Sequence, residues 1–357
     1  MGPLRHIKPS VRSIAAYTLA AREAAVKLNQ NENPYDLPEA VKRRVLDQAL
    51  ARPWSRYPDF DPKDLVERLA AFSGWRPDGI LAGNGSNELI EALLLVTVGP
   101  GTRVVIPEPT FTLYALLTKV LGGKALRVGL GPELEYQADE LRRVRHELAA
   151  PLTIVCSPNN PTGGLLPAEE VARLCEDADG LVVVDEAYHE FSGQSVVPLL
   201  ARHSNLVVLR TFSKAMGLAG LRIGYLLASP EIVREVNKAR LPYNLNFFAQ
   251  AAARAALDSV WPMLSDVSVE DVWRRMEDDA KSRLSEPDVT RWAIAGALRA
   301  ALERLRTQWT DERRLTDATL HRQRLAGLVA FRALQFAKTA KALRHEPPTH
   351  PPRFRAT

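Results

Sequence analysis

The chain has 357 residues, a length that allows two or three compact domains with a sizeable buried core. With 46% hydrophobic and 25% charged residues and a mean hydropathy of −0.16, it is expected to be a soluble globular protein, which excludes wholesale disorder and membrane residence. Its two cysteines, Cys156 and Cys175, have neither zinc-ligand spacing nor a disulfide framework, so we predict no metal site and a reducing compartment.

The net charge of +5 is unevenly distributed along the chain. Residues 1–258 hold 29 basic and 29 acidic residues, and the whole excess lies in residues 259–357. A nucleic-acid partner is therefore not predicted, because the first 258 residues are neutral. No apolar run approaches the ~20 residues that cross a bilayer. No secretory signal pattern follows Met1, and the sequence predicts a cytoplasmic protein without a membrane partner.

The first 80 residues combine proline turns with two predicted helices, near 38–51 and 61–73. We expect residues 1–50 to form an N-terminal arm and part of a small domain, and residues 51–258 to form a large domain. From residue 80 onward, short apolar runs alternate with helical patterns, which predicts an α/β fold with a mostly parallel sheet. The predicted strands are 103–106, 152–155, 181–184, 206–209 and 223–227.

Polar side chains follow three of these strands directly. Residues 157–163 follow strand 152–155, Asp185 to Tyr188 follow strand 181–184, and Thr211 to Lys214 follow strand 206–209. In open parallel sheets, ligands bind outside the carboxyl ends of the strands. The sequence therefore predicts that an amide, a carboxylate, a phenol and an amine converge on one sheet edge.

The segment Gly83 to Glu88 opens a predicted helix whose apolar stripe begins at Leu89. Free backbone N–H groups at such a helix start favour a phosphate. A dinucleotide-binding motif is a poor match, because Glu88 stands where the third glycine is needed and no strand pattern is evident before Gly83.

Pyridoxal 5'-phosphate requires a lysine, a carboxylate and a phosphate site together. In this combination, residues 1 to about 258 resemble the fold-type I aminotransferases, and within them the histidinol-phosphate aminotransferases. The matching segments are Leu28 to Pro34, Arg56 to Asp59, Gly83 to Glu88, Ser157 to Gly163, Asp185 to Phe191, and Ser213 to Ala215 through Arg222.

The resemblance implies a role for each catalytic candidate. Lys214 would bind the cofactor covalently and move the substrate proton, and Arg222 beside the phosphate would lower the proton affinity of the amine. Asp185 would keep the pyridine nitrogen protonated, while Tyr188 and Asn160 would hydrogen-bond the ring hydroxyl. Taken singly, these residues also fit a surface lysine, a helix-capping aspartate and an ordinary turn.

The remaining cofactor contacts are implied in the same way. Phe111 would stack on the ring, although an aromatic there is also ordinary core. The phosphate would be held by four residues, Ser86, Asn87, Ser213 and Arg222. Tyr57 matches a tyrosine that this family supplies from the neighbouring subunit, which implies a homodimer. Asn31 and Glu32 resemble an arm that closes over substrate, or serve as turn residues, and His189 is interpreted as structural.

The implied reaction is transamination between L-histidinol phosphate and 2-oxoglutarate in histidine biosynthesis. The alternatives are another aminotransferase or an amino-acid phosphate decarboxylase of the same fold, or a cofactor-binding remnant without activity.

Residues 259–357 depart from the family pattern. They hold two of the 20 glycines and none of the eight tyrosines, and their apolar residues keep helical spacing near 294–309 and 325–336. The arginine strand that would grip the substrate carboxylate is not recognisable there. A shifted reading frame and a divergent helical tail both explain this region.

Overall fold

A computed structural model describes residues 3–15, 30–33, 36–177 and 179–260 of the chain. Seven strands form one sheet in the order β1-β7-β6-β5-β4-β2-β3. The strands are β1 Ile80–Gly83, β2 Arg103–Glu108, β3 Lys124–Gly129, β4 Leu152–Cys156, β5 Leu181–Asp185, β6 Leu206–Thr211 and β7 Gly224–Leu227. Strands β2 to β6 pair in parallel, and β7 is antiparallel to both β6 and β1.

Ten α-helices lie in the described part of the chain. They are α1 Pro9–Arg12, α2 Glu39–Ala51, α3 Lys63–Ser73, α4 Ser86–Thr97, α5 Leu113–Val120, α6 Ala138–Glu147, α7 Ala168–Glu176, α8 His189–Ser192, α9 Pro230–Asn237 and α10 Phe247–Ala255. Most begin without a side-chain cap, but Ser229 and Asn246 each accept a backbone N–H at the start of α9 and α10. None of the described helices is long and apolar enough to cross a membrane.

Two apolar clusters cover the two faces of the sheet. Alternate residues of β5 go to opposite clusters: Val182 and Val184 pack in one and Val183 in the other. The first cluster includes residues of α2, α3, α7 and α10, and the second includes residues of α4 and α9. Burial on both faces explains why the central strands are continuous apolar runs in the sequence.

The α/β architecture with a mostly parallel sheet is confirmed. All five predicted strands are present within one or two residues, and the two early helices begin at Glu39 and Lys63. The expectation that no strand precedes Gly83 is wrong, because β1 ends there. β1 has only four residues and ends in Ala82 and Gly83, which have low strand propensity, so the sequence gives little signal for it.

β3 was also not predicted, because this edge strand contains Lys124 and Arg127 and is not a continuous apolar run. The expected helices near 294–309 and 325–336 lie outside the described residues, as does the region in which the arginine strand of the family was not recognisable. All seven strands lie between residues 80 and 227, inside the expected large domain.

Candidate active site

The candidate site lies at the carboxyl ends of β4, β5 and β6. These three strands are parallel neighbours, and Cys156 at the end of β4 is in register with Asp185 at the end of β5. The loop that follows each strand carries the predicted functional groups. The convergence expected from the sequence therefore follows from the pairing of adjacent parallel strands.

Asp185 is 3% exposed and is held by two hydrogen bonds. The Tyr114 hydroxyl donates to its Oδ2 at 2.7 Å, and the Ala187 backbone N–H donates to its Oδ1 at 3.0 Å. Burial raises the pKa of Asp185 to about 6, although these two hydrogen bonds act in the opposite direction. A buried carboxylate of this kind favours a cationic partner.

The next residue, Glu186, is fully buried but faces a different environment. Its carboxylate accepts two hydrogen bonds from Arg210, at 3.0 and 2.9 Å, and one from the Val196 N–H at 2.6 Å. This ion pair satisfies the charge of Glu186 within the protein. Of the two neighbouring carboxylates, Glu186 has a cationic partner, whereas Asp185 has no cation as its direct partner among the described residues.

Lys214 and Tyr188 lie close to each other. The Lys214 Nζ is 5.7 Å from the centre of the Tyr188 ring and donates a hydrogen bond to the Gln30 carbonyl at 2.8 Å. The Asn31 Nδ2 donates to the Tyr188 hydroxyl at 3.0 Å. Burial raises the pKa of Tyr188, so its phenol stays protonated at neutral pH. The N-terminal residues Gln30 and Asn31 therefore contact Lys214 and Tyr188.

The start of α4 forms a concave site that we call the anion cradle, made of Gly85, Ser86, Ser213, Arg222 and Gly224. Gly85 has a φ of +82°, and a Cβ at that position would overlap the Arg222 guanidinium. A Cβ at Gly224 would overlap the backbone N of Ser86. The Arg222 Nη1 donates to the Ser213 Oγ at 3.2 Å. A guanidinium, a hydroxyl and a helix N-terminus thus meet where only glycine fits.

Phe111 and Tyr114 form an edge-to-face pair, with ring centres 5.5 Å apart at 83°. Tyr114 thereby contacts both Phe111 and Asp185. Sequence reasoning missed Tyr114 because nothing distinguishes it from a core aromatic. Its position three residues after Phe111, in the first turn of α5, is the signal that could have identified it.

Asn160 lies half-buried in the loop after β4, and its neighbour Asn159 is completely buried. The Asn159 side chain accepts from the Thr110 hydroxyl at 2.7 Å and donates to the Pro109 carbonyl at 2.9 Å. Asn159 therefore ties this loop to the loop that carries Phe111. The first asparagine of the motif is a structural link that the sequence analysis did not separate from Asn160.

The other predicted residues are placed as follows. Asn87, the second residue of α4, is exposed. His189 is buried, and its Nδ1 lies 3.0 Å from the Glu186 carbonyl and 3.2 Å from the Glu190 carboxylate. Tyr57 is 74% exposed, and its ring stacks on Tyr243 with centres 4.4 Å apart. Tyr57 is thus part of the surface and not of the strand-end cluster.

The residues present fit pyridoxal phosphate by the chemistry of their donors. An amine, a buried carboxylate that favours a cation, and a cradle that closely packed glycines keep open supply the three functions that this cofactor needs. Asn31 Oδ1 is a further buried acceptor, with no hydrogen-bond partner in the described part of the chain.

Comparisons with known proteins agree with this arrangement. The family "Aminotransferase class I and II" matches residues 23–281, which extends past the boundary near 258 expected from the sequence. A histidinol-phosphate aminotransferase of Chlorobium phaeovibrioides is 40% identical over 258 residues, covering 72% of each chain. The homologue from Chlorobaculum tepidum is 39% identical over 255 residues, covering 71% of this chain and 73% of its own.

Solved structures show the same fold. A putative histidinol-phosphate aminotransferase from Erwinia carotovora atroseptica is 28% identical, with a TM-score of 0.64 over 73% of this chain and 77% of its own. The histidinol-phosphate aminotransferase from Sinorhizobium meliloti, solved with pyridoxal-5'-phosphate, is 24% identical, with a TM-score of 0.69 over 95% and 98% of the two chains. The chain therefore belongs to the class I and II aminotransferase family, whose members are pyridoxal-phosphate enzymes of fold type I.

Proposed function

We propose that this aminotransferase transfers the amino group of L-histidinol phosphate to 2-oxoglutarate, as a cytoplasmic homodimer. The observation that carries the proposal is the placement of Lys214, Asp185 and the anion cradle at one edge of the sheet. The identity of about 40% to histidinol-phosphate aminotransferases supports the choice of donor. The two buried free cysteines support a reducing compartment.

In this proposal, the anion cradle holds the cofactor phosphate. Arg222 and Ser213 supply side-chain donors, and Ser86 and Asn87 add the free end of α4. Asp185 would accept from the protonated ring nitrogen, Asn160 and Tyr188 would hydrogen-bond the ring hydroxyl, and Phe111 would stack on the ring. When bound, pyridoxal phosphate stabilises the negative charge that develops on the α-carbon of the amino donor.

Lys214 is the residue that moves the proton in this proposal. Its Nζ would hold the cofactor before the donor binds and would then take the proton from the α-carbon of the donor. An amine does this only when it is uncharged, and the Arg222 guanidinium would favour that state by charge repulsion. Tyr188, which lies beside Nζ and stays protonated, can orient the amine through its ring and hydroxyl.

The homodimer is supported by an exposed aromatic patch, formed by Tyr57, Phe60 and Tyr243. Tyr243 stacks on Tyr57 and meets Phe60 edge-to-face at 5.4 Å. Apolar groups clustered on a surface mark interaction sites, and in a dimer this patch would be covered. Tyr57 would then reach the cofactor phosphate of the neighbouring subunit.

We expect Tyr57→Phe to weaken pyridoxal phosphate binding by about tenfold, because one hydrogen bond to a charged group would be lost. The dissociation constant would be measured by absorbance titration, with the oligomeric state followed by light scattering. Tyr243→Phe is the matched control, since it removes a hydroxyl from the ring stacked on Tyr57. Unchanged affinity in dimeric Tyr57→Phe would contradict the assignment.

The function is tested by the visible spectrum of the protein loaded with pyridoxal phosphate, before and after histidinol phosphate is added without an oxo acid. We expect the yellow absorbance to be lost at one equivalent of donor and to return when 2-oxoglutarate is added. If the spectrum does not change with histidinol phosphate but changes with an aromatic amino acid, the amino donor is the aromatic amino acid. Release of carbon dioxide from an amino-acid phosphate would establish the decarboxylase alternative.

A further inference from the structure

A chain of polar contacts stabilises the loop of the anion cradle, and its residues are not among the proposed cofactor contacts. Glu88 lies in the first turn of α4, and its Oε2 accepts from the backbone N–H of Asn84 at 2.6 Å. The same oxygen accepts from Asn244 Nδ2, also at 2.6 Å. One carboxylate oxygen thus joins the loop before α4 to a residue 156 positions later in the chain.

Asn244 is itself held in place. Arg240 Nη1 donates to its Oδ1 at 3.2 Å, and the Arg240 side chain is almost fully buried, with Asp61 Oδ1 3.6 Å from Nη2. The Arg240 guanidinium also lies 5.7 Å from the centre of the Phe60 ring. Arg240 is therefore a fixed cation, and Asn244 lies between it and the carboxylate of Glu88.

These contacts determine which backbone donors remain for an anion. Glu88 takes the N–H of Asn84, and the Gly83 carbonyl takes the N–H of Gly85. The first N–H groups of α4, from Ser86 onward, have no partner within their own helix and point out of its end. The carboxylate would oppose a bound phosphate if its charge were isolated, but Arg240 offsets it across Asn244.

We propose that Glu88 and Asn244 are positioning residues for the cofactor phosphate: Glu88 fixes the backbone before α4, and Asn244 fixes Glu88. This inference rests on the proposed function, since it assumes that the cradle receives the phosphate of pyridoxal phosphate. Neither residue touches the cofactor. Their effect is to hold Gly85 and Ser86 against Arg222 and Gly224, so that the cradle exists before the ligand arrives.

The test uses Asn244→Asp, which keeps the shape of the side chain and its contact with Arg240 but puts a second carboxylate against Glu88. We expect pyridoxal phosphate to bind roughly tenfold to a hundredfold more weakly, the usual effect of losing a hydrogen bond to a charged group. Pyridoxal, which reaches the same lysine without a phosphate, should bind within about twofold of the wild type, because nothing it contacts has changed. Asn237→Asp, an exposed change at the end of α9, is the control for added charge.

A rescue variant separates positioning from general damage. Glu88→Gln combined with Asn244→Asp removes the repulsion between the two carboxylates, and a turn of the glutamine amide lets its nitrogen donate to the aspartate while its oxygen accepts from Asn84. We expect the double variant to recover most of the affinity for pyridoxal phosphate. Asn244→Ala, which adds no charge, should show the same selective loss to a smaller extent, and it serves if Asn244→Asp does not fold.

The outcomes distinguish this inference from the proposed function. Equal losses for pyridoxal phosphate and pyridoxal, or no loss for either, would overturn the positioning role of Asn244. A wild-type protein that binds pyridoxal phosphate no better than pyridoxal would instead refute the use of the cradle for phosphate, and with it the proposed function.

Discussion

Lys214→Ala is expected to lower transamination by more than about a thousandfold, because the variant loses both the covalent anchor of the cofactor and the group that moves the substrate proton. Asp185 and the anion cradle remain, so the variant should still bind pyridoxal phosphate without a covalent bond. The rate would be measured in single turnovers with histidinol phosphate as donor. Cofactor content after gel filtration would show whether binding survives.

The covalent role has its own readout. Borohydride should fix the cofactor to the wild-type protein at Lys214, as identified by peptide mass spectrometry, and should fix none to the variant. Lys238→Ala is the matched control, since Lys238 is an exposed lysine directly after α9 that pairs with Glu235. A cofactor attached to any lysine other than Lys214 would contradict the assignment.

Asp185→Asn is expected to have opposite effects on the protein with and without cofactor. Burial raises the pKa of Asp185 from 3.8 to about 6, so keeping it ionised at pH 7.5 costs the empty protein about 3 kcal/mol of unfolding free energy. The amide removes that cost, and the empty variant should be more stable than the wild type by about 1–3 kcal/mol. Its affinity for pyridoxal phosphate should fall roughly tenfold to a hundredfold, because the ring nitrogen loses an ionised partner.

The pH dependence follows from the same shift. The folded pKa lies above the unfolded value, so the stabilising contribution of protonated Asp185 is fully present below pH 3.8 and is lost as the pH rises through about 6. The stability advantage of Asp185→Asn should therefore be largest above pH 6 and shrink towards pH 4. Denaturant unfolding of the cofactor-free proteins across this range measures it.

Tyr114→Phe provides a second check on Asp185. The ring contact with Phe111 is kept, while the hydrogen bond to Asp185 Oδ2 is lost, so the pKa of Asp185 should rise further. The pH at which the empty protein loses stability would then move upward by about one unit. Tyr225→Phe is the control, since Tyr225 is also completely buried and its hydroxyl bonds Arg210 instead. Equal shifts in both variants would mean that the effect is one of packing.

The central strands and the polar groups at their ends were predictable because each has a recognisable pattern over a few consecutive residues. Strands buried on both faces are continuous apolar runs, and the loops after β4, β5 and β6 carry polar motifs that stand out against them. The parallel order of these strands then brings Asp185 close to Cys156 and Lys214 without further information.

Contacts between residues far apart in the chain have no such local sequence pattern. Tyr114 has the sequence context of any core aromatic, and its role depends on the distance of its hydroxyl from a carboxylate 71 residues away. Asn244 follows a turn at Pro242 and Tyr243, and only the folded chain places it on Glu88. Tyr57 was selected by resemblance alone, and its stacking on Tyr243 depends on the packing of two loops.

The pairing of β1 with β7 links cofactor binding to the order in which the chain folds. β1 is the first strand of the sheet and β7 the last, and their register places Gly83 opposite Gly224. The cradle is therefore completed only after the most widely separated pairing in the sheet has formed, a slow event because a long loop must close. Pyridoxal phosphate would bind late in refolding and would stabilise only chains that have closed the sheet, so that cofactor uptake reports the last step of folding and not an early one.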